Sequence, residues 1–380
     1  MNFDDLLRKA FEATASDLHL KSGNFPYVRV NGDLRPLEES RRLTAEDTQS
    51  IAFGIMSPRQ KQRFKDSAEV DMSYAVSGLG RFRLSVFQER GAVGMNVRLI
   101  PPVIRSIDEL HLPKVVYKLC QERRGLVLVT GATGSGKSTT LASMIDRINS
   151  TRACHIITIE DPIEFYHQDK KALVNQREVG FDTPGFELAL RSALRQDPDV
   201  ILVGEMRDIE TMRTAINAAE TGHMVFSTLH TLDAQETVQR VTSVFPPPHE
   251  EKQLRLQLAA TLKGVISQRL LRRADGNGRV PAVEVLIATD FIRECIITPE
   301  KTRLIRELIA SGTSQYGMQT FDQSLYDLYS QGLITLEEAT MSSSNPHELK
   351  LRIEGVSSTT EAAREEMERA VLSRVDRFGG

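Results

Sequence analysis

The sequence predicts a mixed α/β fold: a buried, largely parallel sheet with helices, a smaller α+β domain before it and a helical region after it. Three observations predict it. GLVLVT (125–130), HIITIE (155–160), DVILVGE (199–205) and HMVFSTL (223–229) are short apolar runs rich in β-branched residues. Strands buried on both faces read this way. Segments of helical pattern separate them, the mark of βαβ crossovers. Upstream, VRVNG (28–32) and RFRLSVFQERGAVGMNVRLI (81–100) instead alternate apolar and polar residues, as half-buried strands do.

The elements follow in order. In residues 1–103, TAEDTQSIAFGIM and PRQKQRFKD place helix starts at Thr44 and Pro58, with apolar residues at helical spacing. PPVIRSIDELHLP closes this domain, and residues 104–113 read as a linker ending at Pro113. Residues 114–298 hold the buried-strand pattern. Residues 299–380 read as helical: KTRLIRELIASG, FDQSLYDLYSQG and LEEATM, with stops at Gly312 and Gly332, then the strongly charged EAAREEMERAVLSRV.

Composition excludes several classes. With 48 basic and 51 acidic residues the net charge is −3, so no global basic field argues for nucleic acid or a polybasic membrane anchor. Cys120, Cys154 and Cys295 are scattered without a C-x-x-C pair, as small core residues in a reducing compartment are. The amino terminus, MNFDDLLRKAFEATASDLHL, is acidic and amphipathic rather than signal-like. No apolar run approaches the roughly 18 residues of a transmembrane segment. The expectation is a cytoplasmic chain without a transmembrane segment, with docking onto a membrane machine left open.

The most specific motif follows the first buried run. Gly131-Ala132-Thr133-Gly134-Ser135-Gly136-Lys137-Ser138 satisfies G-x-x-x-x-G-K-[ST], with a strand before it and a helix after it, and Gly131 to Thr139 are the expected nucleotide-binding residues. Glycines let backbone N–H groups close around phosphate oxygens, and the helix amino terminus adds its positive end. Lys137 is placed to reach the β/γ-phosphates and Ser138 to ligate Mg²⁺. The motif predicts binding of ATP or another nucleoside triphosphate.

Hydrolysis also needs a carboxylate at a neighbouring strand end, to orient water and support the metal. Glu205, just past the DVILVG run, meets that need at the sheet's carboxyl edge, where open α/β sheets bind ligands. HIITIEDPIEF ends another strand with Glu160, Asp161 and Glu164, and the three acids are too close together for all to face a nucleotide.

The stretch GHMVFSTLH carries His223 and His230. On a strand rising about 3.3 Å per residue they stand some 23 Å apart on opposite faces, so they share neither a metal nor a proton. His230 is delivered to the nucleotide edge and His223 to the other end. A plain structural role stays open for both.

Four segments in this order, GATGSGKS, ITIEDPIEF, ILVGEMRD and TGHMVFSTLHT, resemble the Walker A, aspartate, Walker B and histidine boxes of the secretion ATPases of type II secretion and type IV pilus systems. SDLHL (16–20) followed by FPYVRVNGDL resembles that family's PAS-like amino-terminal domain, so the resemblance covers nearly the whole chain. It implies a RecA-like P-loop core using ATP and Mg²⁺, with Glu205 as the Walker B glutamate and Glu164 assisting water activation. His223 and His230 become the histidine-box pair, counted among the nucleotide-binding residues and linking nucleotide state to subunit contacts.

The resemblance further implies a homohexameric ring in which first-domain arginines act on the γ-phosphate of a neighbouring subunit. Arg81, Arg83 and Arg98 are the candidates, against the alternative of arginines on a solvated sheet face. The short chain, the lack of a tetracysteine motif and GMQTFDQSL (317–325) are similar to the pilus-retraction branch. That branch implies an inner-membrane platform protein as partner, a paralogous retraction ATPase as another, and a place at the cytoplasmic membrane face. Its A-I-R-N-L-I-R-E signature appears only as TRLIRELI (302–309). Two rivals stand beside this reading. One is a nucleic-acid translocase on the same core, disfavoured by the charge balance; the other is an ATP-binding scaffold subunit without catalysis.

Overall fold

The structure, a computed structural model, describes residues 2–354 except 31, 38–39, 77, 101–102 and 247–248. The charged segment EAAREEMERAVLSRV lies outside the described residues. Among the described residues thirteen strands are numbered in chain order: β1 (Asp17–Leu20), β2 (Tyr27–Val30), β3 (Asp33–Pro36), β4 (Glu69–Val76), β5 (Gly80–Glu89), β6 (Ala92–Ile100), β7 (Gly125–Thr130), β8 (His155–Glu160), β9 (Leu173–Glu178), β10 (Val200–Val203), β11 (Met224–Leu229), β12 (Leu262–Arg272) and β13 (Arg279–Ile287).

One compact unit comprises Met1–Arg105 and Ile145–Gly204. Its first six strands form an antiparallel sheet in the order β3-β2-β1-β6-β5-β4. The period-two pattern decides its faces. Phe82, Leu84 and Val86 of β5 are buried, while Arg81, Arg83 and Ser85 between them point to the other face. The helices Phe3–Glu12, Ala45–Ile55 and Pro58–Ser67 add Leu6, Leu7, Ile51 and Phe64 to this core. The expected helix starts at Thr44 and Pro58 are present, each with its chemical cause. Thr44 and Asp47 form a capping box, and Ser57 caps the second helix with Pro58 at its first position.

The same unit carries β8, with β10 and β9 both paired to it in parallel. At the end of β9, the Glu178 carboxylate is buried against the first sheet. It accepts hydrogen bonds from Ser73 Oγ (2.9 Å), from Arg81 Nη2 (2.7 Å) and from the Ile163 N–H (3.3 Å). Arg81 also donates to Ser73 Oγ at 2.9 Å, so both sides of the ion pair are held by a third group.

The second unit comprises Ser106–Met144 and Glu205–Gly380. Here β11 and β12 both pair with β7 in parallel, and β13 returns antiparallel to β12. The β12–β13 hairpin is absent from the sequence reading. LKGVISQRLLRR mixes polar with apolar residues and lacks the continuous apolar signature of the neighbouring strands. Its cue was the turn Asp275-Gly276-Asn277-Gly278, where Gly276 and Gly278 take positive φ. So short a connection, 273–278, permits only an antiparallel return.

The carboxy-terminal helices pack on that hairpin. Phe321, Leu325 and Leu328 of Phe321–Ser330, Ala339 of Leu336–Ser342 and Leu349 of Pro346–Ile353 share a core with Leu271, Val280 and Ala282. KTRLIRELIASG begins as a 3₁₀ helix (Pro299–Leu304) and continues as the α-helix Ile305–Ser311, stopping at Gly312. Among the described residues no helix is long and apolar enough to cross a membrane.

The Arg81–Glu178 pair has a measurable consequence. Arg81→Ala leaves a buried carboxylate without its counter-charge and lowers stability by about 3 kcal/mol, read by urea denaturation. Adding Glu178→Gln recovers part of that loss.

Candidate active site

The phosphate loop joins β7 to the helix Lys137–Thr151. Gly131 has φ +139°, and a Cβ there would lie 2.4 Å from the Gln268 carbonyl oxygen and 2.6 Å from Ser135 Oγ. Only glycine fits between β12 and the loop. Gly134 and Gly136 also take positive φ, and a Cβ on either would meet nothing within 4 Å. Their glycine requirement is conformational. Lys137 is buried, its Nζ donating to the carbonyls of Gly131 (2.8 Å) and Ala132 (3.0 Å). Ser135 Oγ is buried with no hydrogen-bond partner, a polar atom in want of one inside the loop. A loop of left-handed glycines, a buried ammonium and an unsatisfied hydroxyl at a helix start suits a polyphosphate. Ser138 opens the helix beside Lys137, half-buried, where a hydroxyl ligand for Mg²⁺ belongs.

Behind the loop lies a buried hydroxyl chain. Thr130 donates to Ser267 Oγ (2.9 Å), and Thr237 lies 3.5 Å from Thr130 and 2.7 Å from Thr231. Gln268 Nε2 donates to Thr140 Oγ1 at 2.8 Å, tying β12 to the loop's helix. Sequence reasoning missed this layer, because threonines and serines inside apolar strands give no pattern distinct from ordinary strand composition.

Glu205 sits on the loop's edge of the sheet. Leu229 of β11 stands opposite Thr130, and the Met206 N–H donates to the Thr228 carbonyl, which fixes Glu205 beside the end of β11. Its carboxylate is held from two sides, by His230 Nε2 on Oε1 (3.0 Å) and Arg207 Nε on Oε2 (2.8 Å). Arg207 was legible in GEMRD but the sequence reading did not single it out. Gly204 before it is tightly placed, since a Cβ would stand 3.2 Å from the Ile159 carbonyl oxygen and 3.3 Å from Glu160 Cα.

The two histidines part as strand geometry requires. His230 follows β11 at the loop's edge. His223 precedes β11 at the opposite end, its Nδ1 3.0 Å from the Ala218 carbonyl and its own carbonyl accepting from Gly125 N–H. The structure therefore does not bring His223 to this chain's phosphate loop. It ties the Ile209–Glu220 helix to the start of β7.

In the aspartate box, Glu160 ends β8. It accepts from Thr158 Oγ1 (2.6 Å) and Gln176 Nε2 (3.1 Å), and burial pushes its carboxyl up to about 7. Glu164 is half-buried in the following turn. Of the three arginines, Arg81 is engaged by Glu178. Arg83 and Arg98 stand directly opposite each other on β5 and β6, and Arg98 is paired with Asp17 at 3.0 Å while largely exposed.

This edge of the sheet makes the protein a P-loop ATPase. Compared with known proteins, residues 2–372 match the family described as Type II/IV secretion system protein, and the chain belongs to that family. It is 47% identical over 339 residues to a Pseudomonas aeruginosa protein named Type IV pilus retractation ATPase PilT, covering 89% of this chain and 97% of that one. It is 42% identical over 353 residues to the Type IV pilus ATPase PilU of the same organism, covering 93% and 91%. Among solved structures, the pilus retraction motor PilT with bound ADP matches with a TM-score of 0.85 at 49% identity, covering 92% of this chain and 99% of that chain.

The raised carboxyl of Glu160 predicts a pH dependence. Its ordinary value is 4.5, so between that and about 7 the folded chain holds a proton that the unfolded chain has released. Stability from this group is full below pH 4.5 and falls as pH rises through 7. Denaturation midpoints of Glu160→Gln should show a shallower decline across that window than the parent chain.

Proposed function

We infer that this chain is a motor ATPase that hydrolyses ATP to power type IV pilus retraction. The observation that carries the reading is Glu205, held by His230 and Arg207 at the strand end beside the phosphate loop. Loop amides from Gly131 to Thr139 and the Lys137 ammonium bind and orient the phosphates. Ser138, and Glu205 partly through water, would hold Mg²⁺, which neutralises charge on the phosphates. Glu205 orients the attacking water, with His230 and Arg207 fixing its carboxylate, and Glu164 assists.

The proposal includes a homohexamer in which ATP lies where one subunit's amino-terminal domain faces another's P-loop domain. Arg83 and Arg98 are its candidates for γ-phosphate contact. Arg81 is the weaker candidate, since its guanidinium is already spent on Glu178. It also includes the division into 1–103, 104–113, 114–298 and 299–380. Its partners are a platform protein at the cytoplasmic face of the inner membrane and a paralogous retraction ATPase. Two relatives named for retraction and pilus ATPases, each covered over more than nine-tenths of its length, support it. Nucleic acid is not among the partners, since a net charge of −3 offers little to neutralise phosphates along a strand.

Glu205→Ala should abolish turnover while leaving ATP binding nearly intact, whereas Lys137→Ala loses binding. Titration with a fluorescent ATP analogue beside a phosphate-release assay separates the two, and equal loss of affinity in both variants would overturn the role of Glu205. Deleting the gene in its host should give hyperpiliated cells that no longer twitch. Bald cells would refute retraction.

A further inference from the structure

Glu284 lies outside every motif discussed so far, yet it is a carboxylate buried to 5% exposure in β13. Its Oε1 accepts the N–H of Ala234 at 2.9 Å, the first residue of the helix Ala234–Ser243. That helix end already has its own caps. Asp233 accepts from the Glu236 N–H (2.7 Å), and Glu236 accepts from the Leu232 N–H (2.7 Å). A third, buried carboxylate from a distant strand is therefore not needed to start the helix. It fixes where the helix end stands relative to the sheet.

What that end carries is the histidine-box turn. Three residues separate His230 from Ala234, and among them Thr231 is bonded to Thr237 of the same helix. Thr237 reaches Thr130, Thr130 reaches Ser267, and Ser267 stands opposite Glu284 in the β12–β13 register. The turn bearing His230 is thus pinned at both ends, by β11 before it and by Glu284 after it. Arg269 and Arg306 act on the carboxylate through space only. Arg269 is stacked 4.0 Å from the Phe321 ring centre and donates to the Ser342 carbonyl, and Arg306 pairs with Asp322 at 3.5 Å.

We propose that Glu284 is a positioning residue: by holding the amide of Ala234 it sets the turn 230–233 so that His230 meets Glu205. This rests on the reading of Glu205 and His230 as the water-orienting pair. The bond requires an acceptor oxygen and not a charge, so glutamine can replace it and leucine cannot.

The test uses the full-length chain with ATP and Mg²⁺. Glu284→Leu should lower kcat about fivefold to tenfold with nucleotide affinity within about twofold of the parent, and Glu284→Gln should restore kcat to within about twofold. If the leucine variant does not fold, Glu284→Asp draws the acceptor back by one methylene and serves the same comparison. The Glu284→Leu, His230→Ala double variant should be no slower than His230→Ala alone. Multiplying losses, or a leucine variant at the parent rate, would overturn the proposal. Amide hydrogen exchange of residues 230–236 provides a separate readout: faster exchange in the leucine variant but not in the glutamine variant supports the anchor, and unchanged exchange overturns it. Should His230→Ala turn over at the parent rate, the pair reading fails while exchange still decides the anchor.

Discussion

β11 and β7 pair in parallel with Leu229 opposite Thr130, and the position of every group at the site follows from that register. Gly131 and His230 leave the sheet at the same height, one into the phosphate loop and the other towards Glu205. The Met206–Thr228 bond brings Glu205 to that height as well. A slip of one residue would turn every side chain of these fully buried strands to the opposite face and unpack Val127 and Phe226. The apolar middle of GHMVFSTLH therefore acts on the chemistry indirectly, by making the alignment of its polar end costly to change.

Register alone would leave the loop free to move, and the buried hydroxyl chain removes that freedom. Thr130, Ser267, Thr237 and Thr231 connect β7, β12 and the helix after β11, and Gln268 connects β12 to the loop's own helix. Each hydroxyl of this chain has a partner while Gln268 Oε1 is buried without one, so the hold on the loop comes through the hydroxyls and Gln268 Nε2. Gly131 completes the arrangement, because the Gln268 carbonyl fills the space a side chain would take. The loop is thus held by hydrogen bonds and contact from β12.

The parts legible in the sequence were those governed by local rules. Continuous apolar runs gave β7, β8, β10 and β11, alternation gave β5 and β6, and glycine spacing with lysine gave the loop. The separation of His223 from His230 followed from strand rise alone. What stayed hidden depends on pairing between distant positions. The β12–β13 hairpin reads as mixed polarity because its strands combine core residues with Ser267, Gln268 and Glu284, buried polar groups bonded to Thr130, Thr140 and the Ala234 amide. Arg207 was visible as a residue, but its contact with Glu205 depends on how the chain turns after β10.

Arg81, Arg83 and Arg98 illustrate the same limit and what structure adds to it. Alternation places Arg81 and Arg83 on one strand face and gives no reason to treat them differently. The structure separates them through Glu178, ninety-seven positions from Arg81, whose side chain is only 6% exposed. Breaking that pair strands a buried charge, at about 3–5 kcal/mol. The Arg98–Asp17 pair is 69% exposed on the arginine side, and such pairs contribute at most about 1 kcal/mol. Thermal motion can release Arg98 to another anion but seldom Arg81. Within one row of arginines, burial of the partner carboxylate sets Arg81, which holds the fold, apart from Arg98, whose pair is open to solvent.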